Sequence, residues 1–292
     1  MTMLPSIQEP RFSIVIPTFG RAKLVSQAIA SVLAQSYQAR EIIVVDDGSD
    51  PPVAEQLQPL AETVRFIRLP VNGGVGAARN VGMMAAQEQY IALLDSDDTW
   101  EPHRLALAKE KIGAHSSTEK QVFIDNLVAR GRLISRPPAI IDDPRALAEA
   151  LVLSKFLVPT PSLIFHRKWR DCLQFDPLLH RHEDWDLLIS AVAQGFKLVN
   201  LDTSAVSIRG GVRSRLSTQR DIRSATRFIE RNSVYLSQDT VAFFKDLNLR
   251  SPQGDRLRYV SMILSRLYRK QVSKGGALGR LLMATGLRRV AD

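Results

Sequence analysis

Three carboxylates fall within four residues at Asp95, Asp97 and Asp98, directly after the apolar run Tyr90-Ile91-Ala92-Leu93-Leu94. Acids this close repel one another unless a cation sits among them, and hard divalent ions such as Mg²⁺ and Mn²⁺ take oxygen ligands. The run is too short for a core helix and reads as a buried strand that delivers the acids at its carboxyl end. Ligands of open α/β sheets bind at such strand ends. The competing reading is an acidic loop capping the next helix, with Asp98 or Thr99 as N-cap and Pro102 in the first turn. A second acidic strand end repeats the plan: Glu41-Ile42-Ile43-Val44-Val45 leads into Asp46-Asp47-Gly48-Ser49, a turn with two free carboxylates.

Two further stretches carry chemistry-bearing side chains. Gly74-Val75-Gly76-Ala77-Ala78-Arg79 precedes a helix, as dinucleotide sites do. It follows the third strand instead of the first, and Arg79 stands where a glycine belongs, so the match is poor. The glycines fit a tight turn, and Arg79 can grip a phosphate or carboxylate as a bidentate donor or pair with a neighbouring acid for structure. His182-Glu183-Asp184-Trp185-Asp186 opens a helix with three acids in its first turn, a placement the helix dipole favours by itself.

The elements that must position these residues follow from periodicity. Phe12 to Ile16 is a β-branched strand halted by Pro17. Ala22 to Gln35 has a helical apolar period, Val64 to Leu69 alternates as a third strand, and Ala77 to about Glu88 is helical before the Tyr90 strand. Strands separated by helices imply right-handed βαβ units, a parallel sheet and helices on both faces. Beyond a helix at Pro102 to Ala114 the rhythm changes. Gln121 to Ala129, Arg132 to Ser135 and Ser162 to His166 read as mixed or antiparallel strands, Glu183 to Val192 as a helix, and Lys197 to Leu201 and Ala205 to Ile208 as closing strands.

The ordered set Ser13-Ile14-Val15-Ile16-Pro17-Thr18-Phe19, Val44 to Ser49, Gly76 to Asn80, Leu94 to Asp98 and His182 to Leu187 resembles the family 2 glycosyltransferases. The resemblance spans Phe12 to Arg209. It implies the GT-A fold, a nucleotide-diphosphate sugar as donor and inversion at the anomeric carbon. Thr18 and Phe19 would line the nucleoside pocket, Asp47 would accept from the base, usually uracil, and Arg79 would lie along the donor. Asp95 and Asp97 look like the family's acidic pair. Asp97 would bind Mn²⁺ or Mg²⁺, and Asp95 or Asp98 would contact ribose or the waters of the metal. Asp184 sits at the catalytic-base position, with Thr160, His182 and Glu183 near the acceptor. Many relatives carry a histidine beyond the Glu-Asp motif. Ser207 to Arg215 has none, so Arg209, Arg213 or Arg215 would meet the diphosphate charge instead.

Composition sets the remaining bounds. A chain of 292 residues, 45% hydrophobic, can hold one catalytic-sized domain and an appendage, here expected as 1–210 and 211–292. No window approaches eighteen uninterrupted apolar residues, no secretory leader is visible in Met1 to Pro10, and the one cysteine, Cys172, forms no internal disulfide. A reducing cytoplasm fits. Residues 209–292 carry 18 basic against 6 acidic side chains, whereas 1–208 carry 21 against 24, so basicity belongs to the end of the chain. Arg220, Arg223, Arg227 and Arg231 recur at helical spacing opposite Ile222, Ala225 and Ile229, and 257–270 repeats the pattern. Such a basic helical extension suits peripheral contact with the anionic inner face of a membrane and a glycan or lipid-linked acceptor. Nucleic acid is not expected, because the aromatic residues there form no stacking platform. A sugar-nucleotide-forming nucleotidyltransferase and a non-catalytic scaffold are the competing functions.

Overall fold

The computed structural model describes residues 9–60, 62–113, 119–129, 131–208 and 221–249. Its centre is β1 (Phe12–Thr18), buried at all seven positions because strands pair with it on both sides. After α1 (Ala22–Leu33) comes β2 (Glu41–Asp46). A short α2 (Val53–Gln56) and β3 (Arg65–Arg68) follow, then α3 (Val75–Ala85) and β4 (Tyr90–Leu93). The four strands run parallel in the order β3-β2-β1-β4, as the alternation of strands and helices requires. Strand side chains alternate between faces. Phe12, Ile14 and Ile16 therefore join Val25, Ala28, Ile29 and Val32 of α1 in one core, while α3 covers Val15 on the opposite face.

The remainder completes the sheet in mixed fashion. β5 (Thr99–Trp100) and α4 (Arg104–Gly113) precede β6 (Gln121–Ile124), β7 (Leu127–Ala129), β8 (Arg132–Ser135) and β9 (Ile140–Ile141). Next come α5 (Pro144–Val152), β10 (Ile164–His166), α6 (Glu183–Ala193), β11 (Lys197–Asn200) and β12 (Val206–Ser207). Among the described residues the large sheet has eight strands, extended beyond β4 by β10, β6, β11 and β9; a second sheet orders β5-β12-β7-β8. β10 is antiparallel to both its neighbours.

Several boundaries differ from the sequence expectation for identifiable reasons. Pro17 does not halt β1: β4 pairs β1 only as far as Val15, so the missing N–H faces no partner strand. Asp98 and Thr99 cap no helix, since Thr99 and Trp100 form β5 and α4 begins at Arg104. The stretch 121–129 is two strands in different sheets. The break lies at Asp125, whose buried carboxylate meets the fully buried Arg104 at 2.7 Å. α5 was not anticipated, although Asp143 before Pro144 is a helix-start signal; its side chain accepts from the N–H of Arg145 at 2.8 Å and of Ala146 at 3.3 Å.

The chain ends, as described, in α7 (Ile222–Asn232) and α8 (Gln238–Leu249). It divides into compact units Met1–Ala242 and Phe243–Asp292, so α7 belongs with the first and the division expected at 210 lies inside that unit. The cationic face of α7 is not wholly presented outward. Arg227 pairs with Asp176 at 2.6 Å and Arg231 with Asp186 at 2.8 Å, while Phe228 and Ile229 are buried. Arg209, Arg213, Arg215, Arg220 and the stretches 257–270 and 275–290 lie outside the described residues.

Gly82 lets α3 lie close on the sheet: a Cβ built there would collide with Val15 Cγ1 and sit 3.1 Å from Val45 Cγ2. Both valines are fully buried in neighbouring strands and have no room to give. Gly82→Ala is therefore expected to lower stability, because an overpacking penalty of about 1–3 kcal/mol outweighs the roughly 1 kcal/mol of helix propensity gained. Denaturant titration of both proteins measures this, and an unchanged midpoint would show that the strands move aside.

Candidate active site

The carboxyl ends of β1, β2 and β4 and the start of α3 open onto a cleft of ≈ 580 Å³. Thr18 and Phe19 leave β1 on its wall; Asp47 follows β2, and Ser96 stands between the acids that follow β4. His180, Arg181 and Asp221 close the opposite side. Phe19 is half exposed and free to stack on a ligand, whereas Thr18 Oγ1 is buried and has no hydrogen-bond partner among the described residues, a polar atom suited to a bound group. Arg21, Arg181 and Asp221 lie in no sequence motif, and Ser96 lies inside the Leu94 to Asp98 motif without a role assigned to it there.

The turn after β2 is not built as expected. Neither Asp46 nor Asp47 offers a free carboxylate. Asp46 accepts from the N–H of Ser49 at 3.0 Å and of Val53 at 2.9 Å, which fixes the turn and starts α2. Asp47 accepts from the N–H of Gly73 at 2.7 Å and of Gly74 at 2.9 Å, tying the glycine turn to the tip of β2. Its oxygens keep further lone pairs toward the cleft. Gly74 holds φ +87°, where a side chain is strained, and an added Cβ would lie 2.9 Å from the Nδ1 of the exposed His180, whose ring would have to shift.

That turn aims Arg79 from the first turns of α3 into the interior. Its guanidinium bridges Asp95 Oδ1 (2.7 Å, Nη2) and Glu183 Oε1 (3.0 Å, Nη1), with the Phe175 ring centroid 5.0 Å away. Of the two readings open for Arg79, pairing with neighbouring acids is the one observed. Burial acts against its charge, but Asp95 and Glu183 more than compensate and hold the guanidinium firmly protonated. The bridge joins the end of β4 to the start of α6, and so brings Asp184 to the acid cluster.

Asp184 has the most displaced titration at the site, pushed up to about 7. Burial is the largest cause, repulsion from Glu183 adds to it, and Arg79 and the N–H of Trp185 (2.9 Å) pull the other way. The folded carboxyl thus keeps its proton well above the ordinary value of 3.8. Between those limits the folded state binds more protons than the unfolded one, so stability falls as pH rises through that window.

Asp95, Asp97 and Asp98 present oxygens within 4.8 Å of one another. Three hard carboxylate donors at that spacing suit a divalent ion, and Asp97 already draws a cation: Arg21 Nη1 lies 3.3 Å from its Oδ2. The residues expected near the acceptor are differently placed. Glu183 is held by Arg79, and His182 precedes α6 in a left-handed conformation with its ring in tilted contact with Trp185 (4.7 Å) and Phe228 (5.5 Å). Thr160 lies in a buried turn whose carbonyls accept from Trp100 Nε1 and Arg104.

Comparison with known proteins agrees with this geometry. The model of glycosyl transferase family 2 matches residues 13–132. WcaA of Escherichia coli, named as a glycosyl transferase of colanic acid biosynthesis, is 30% identical over 63% of this chain and 67% of its own. The succinoglycan biosynthesis protein ExoO of Rhizobium meliloti is 32% identical over 65% of this chain and 58% of its own, and the amylovoran glycosyltransferase AmsB of Erwinia amylovora 28% over 64% and 66%. The chain thus spans less than two thirds of the length of the latter two. In fold it matches the crystal structure of S. aureus TarS 1–349 in complex with UDP-GlcNAc, with a TM-score of 0.60 and 18% identity over 86% of this chain and 79% of that one.

Opposite substitutions around Asp184 follow from the charges that face it. Arg79→Gln removes an attractive cation and is expected to raise the Asp184 pKa above its present value, at a stability cost of about 3–5 kcal/mol for two abandoned acids. Glu183→Gln removes a repelling anion and is expected to lower it. Carboxyl ¹³C titrations read both, and shifts of the same sign would contradict the electrostatic arrangement.

Proposed function

The chain belongs to glycosyl transferase family 2, and from that premise we propose that it transfers a sugar, with inversion, from a nucleoside diphosphate donor, most simply a UDP-sugar, to a glycan or lipid-linked acceptor. The matched relatives are named for making bacterial colanic acid, succinoglycan and amylovoran, which supports assembly of a surface polysaccharide as its setting. The observation that carries the reading is Asp184: a carboxyl pushed up to about 7, tied through Glu183 and Arg79 to the acids that flank the cleft.

In this reading the nucleoside lies along Thr18, Phe19 and Asp47, and the diphosphate points toward Ser96. Asp97, with Asp95 and Asp98, would hold Mn²⁺ or Mg²⁺, which when bound neutralises charge growing on the leaving diphosphate. Arg21, now on Asp97, is a second cation within reach of that charge. Ionised Asp184 takes the proton of the acceptor hydroxyl as its oxygen attacks the anomeric carbon from the side opposite the diphosphate. The new C–O bond forms as the bond to the phosphate oxygen breaks, the electron pair leaves with the nucleoside diphosphate, and the proton ends on Asp184.

No helix among the described residues is long and apolar enough to cross a membrane. A peripheral position at the inner membrane face, where a lipid-linked acceptor would lie, therefore rests on the basic residues not engaged by acids, such as Arg223, and on those beyond residue 249.

The test is donor turnover with and without Mn²⁺. Release of nucleoside diphosphate supports transfer, pyrophosphate released when a nucleoside triphosphate and a sugar 1-phosphate are supplied instead of the donor would mean nucleotidyl transfer, and silence in both assays with donor still bound would mean a scaffold. Asp184→Asn is expected to keep donor binding and to lose at least about 100-fold in kcat, the ordinary contribution of a general base. Asp97→Asn is expected to weaken metal-dependent donor binding instead. Because Asp184 must be ionised to act, kcat/KM should climb with pH and level off above about 7; a flat profile from pH 5 to pH 8, in roughly the range a perturbed carboxyl would cover, would remove Asp184 from that role.

A further inference from the structure

At the other end of the sheet lies a second cleft, of ≈ 450 Å³, at the amino end of β4. β10 runs antiparallel to β4, with His166 opposite Tyr90, so the turn after β10 emerges far along the strand from the acids after Leu94. This turn reads His166-Arg167-Lys168-Trp169-Arg170, and with Arg11 from the start of β1 it places four permanent cations around one concavity. Among the described residues only Asp171 opposes them on the lining, with Glu88 alongside Arg11.

The arrangement of donors is more specific than the charge. Arg170 is anchored by Nη1 to the carbonyls of Met84 (3.1 Å) and Ala86 (3.2 Å) at the end of α3, leaving its other nitrogens available. Arg11 is anchored by Nε to Glu88 at 3.0 Å, leaving its Nη atoms. Arg167 bonds Gln89 O through its backbone N–H at 2.8 Å, but among the described residues its guanidinium has no hydrogen bond or ion pair. His166 Nδ1 accepts from Lys168 N–H at 3.2 Å, so its neutral ring carries the proton on Nε2 as a further donor. The amides of Gln87 and Gln89 complete a lining rich in N–H groups.

Fixed guanidinium forks with spare donors match phosphate oxygens. We propose that this cleft is a second anion site, separate from the donor cleft, which binds a small phosphorylated molecule through a phosphomonoester or diphosphate group. Its volume suits a ligand of pyrophosphate or sugar-phosphate size. The local potential agrees: burial, Lys168 and Arg167 together hold the His166 imidazole below its ordinary value. A dianion seated among those cations must reverse part of that effect.

The experiment is an imidazole NMR titration of the full chain in the presence of a chelator, with the His166 resonance assigned from His166→Gln. Pyrophosphate and inorganic phosphate are the probes, sodium chloride at matched ionic strength is the control, and anionic lipid vesicles form a separate arm. Saturable binding of pyrophosphate should raise the His166 pKa by about one unit. The double variant Arg167→Gln, Lys168→Gln should weaken that binding about tenfold or more while keeping donor-induced thermal stabilisation, which reports an intact fold. A shift reproduced by chloride, or one that persists in the double variant, overturns the site. Vesicle binding lost in the double variant, with His166 unmoved by either phosphate, would assign the patch to a membrane and overturn it equally.

Discussion

A guanidinium enclosed between two carboxylates holds this molecule's site in register. Arg79 reaches Asp95, sixteen residues ahead, and Glu183, one hundred and four ahead. It thereby fixes the end of β4 against the first turn of α6 by joining those two acids at one guanidinium. A buried pair of this kind adds little stability by itself, because desolvation consumes most of the attraction; breaking it leaves uncompensated charge, which is costly. The consequence is positional. The glycine turn that Asp47 holds at the tip of β2 aims α3, α3 carries Arg79, and Arg79 decides where Glu183 and hence Asp184 lie.

What could be read from the sequence divides along that same line. Local patterns located β1 to β4, α1 and α6, because a buried strand or an amphipathic helix declares itself within a few residues. The resemblance pointed to Thr18 and Phe19 and the acidic strand end to Asp47, and the three line one cleft because β1 and β2 are neighbours in the sheet. What local patterns missed is set by distant partners. The break inside 121–129 exists because Asp125 turns inward to Arg104, twenty-one positions earlier in the chain and invisible to periodicity. The carboxylate of Asp47, legible as an acid, could not be recognised as a backbone acceptor without the loop at 72–74, whereas Asp46 closes on its own turn at Ser49 and Val53. α5 is a different case: Asp143-Pro144 followed by Leu147, Leu151 and Val152 was a readable helix start.

The excess of basic residues near the end of the chain has a structural use as well as an electrostatic one. A helical arginine stripe opposite an apolar stripe suggests a cationic face turned to an external anion. In α7 two of those arginines turn to Asp176 and Asp186 instead, and Asp186 also accepts from Asn232 at 2.7 Å. Asp186 lies two positions after Asp184 on α6, so α7 braces the helix that presents the proposed base. Asp221, the cap of α7, lines the cleft at the carboxyl ends of β1 and β2 and accepts from Ser224 N–H at 3.0 Å, while Ser224 Oγ accepts from the N–H of His180 at 2.9 Å. Cleft wall and brace are thus parts of one hydrogen-bonded structure.

The position of Asp184 at a helix start poses a physical problem that the surrounding charges resolve. The N-terminal dipole of α6 stabilises a carboxylate and so weakens it as a base. Burial and the neighbouring charge of Glu183 oppose that effect, and Arg79 tempers them. Were burial and Glu183 to act alone, the carboxyl would hold its proton at neutral pH and could not accept another. Were Arg79 and the dipole to act alone, it would be ionised but too weakly basic to draw a proton from a hydroxyl. Glu183 cannot be strengthened as a repelling neighbour without also strengthening its grip on Arg79, since one carboxylate faces both. Burial first, then Glu183 against Arg79, push Asp184 up to about 7, the range in which the proposed base would accept and return protons with the least opposition.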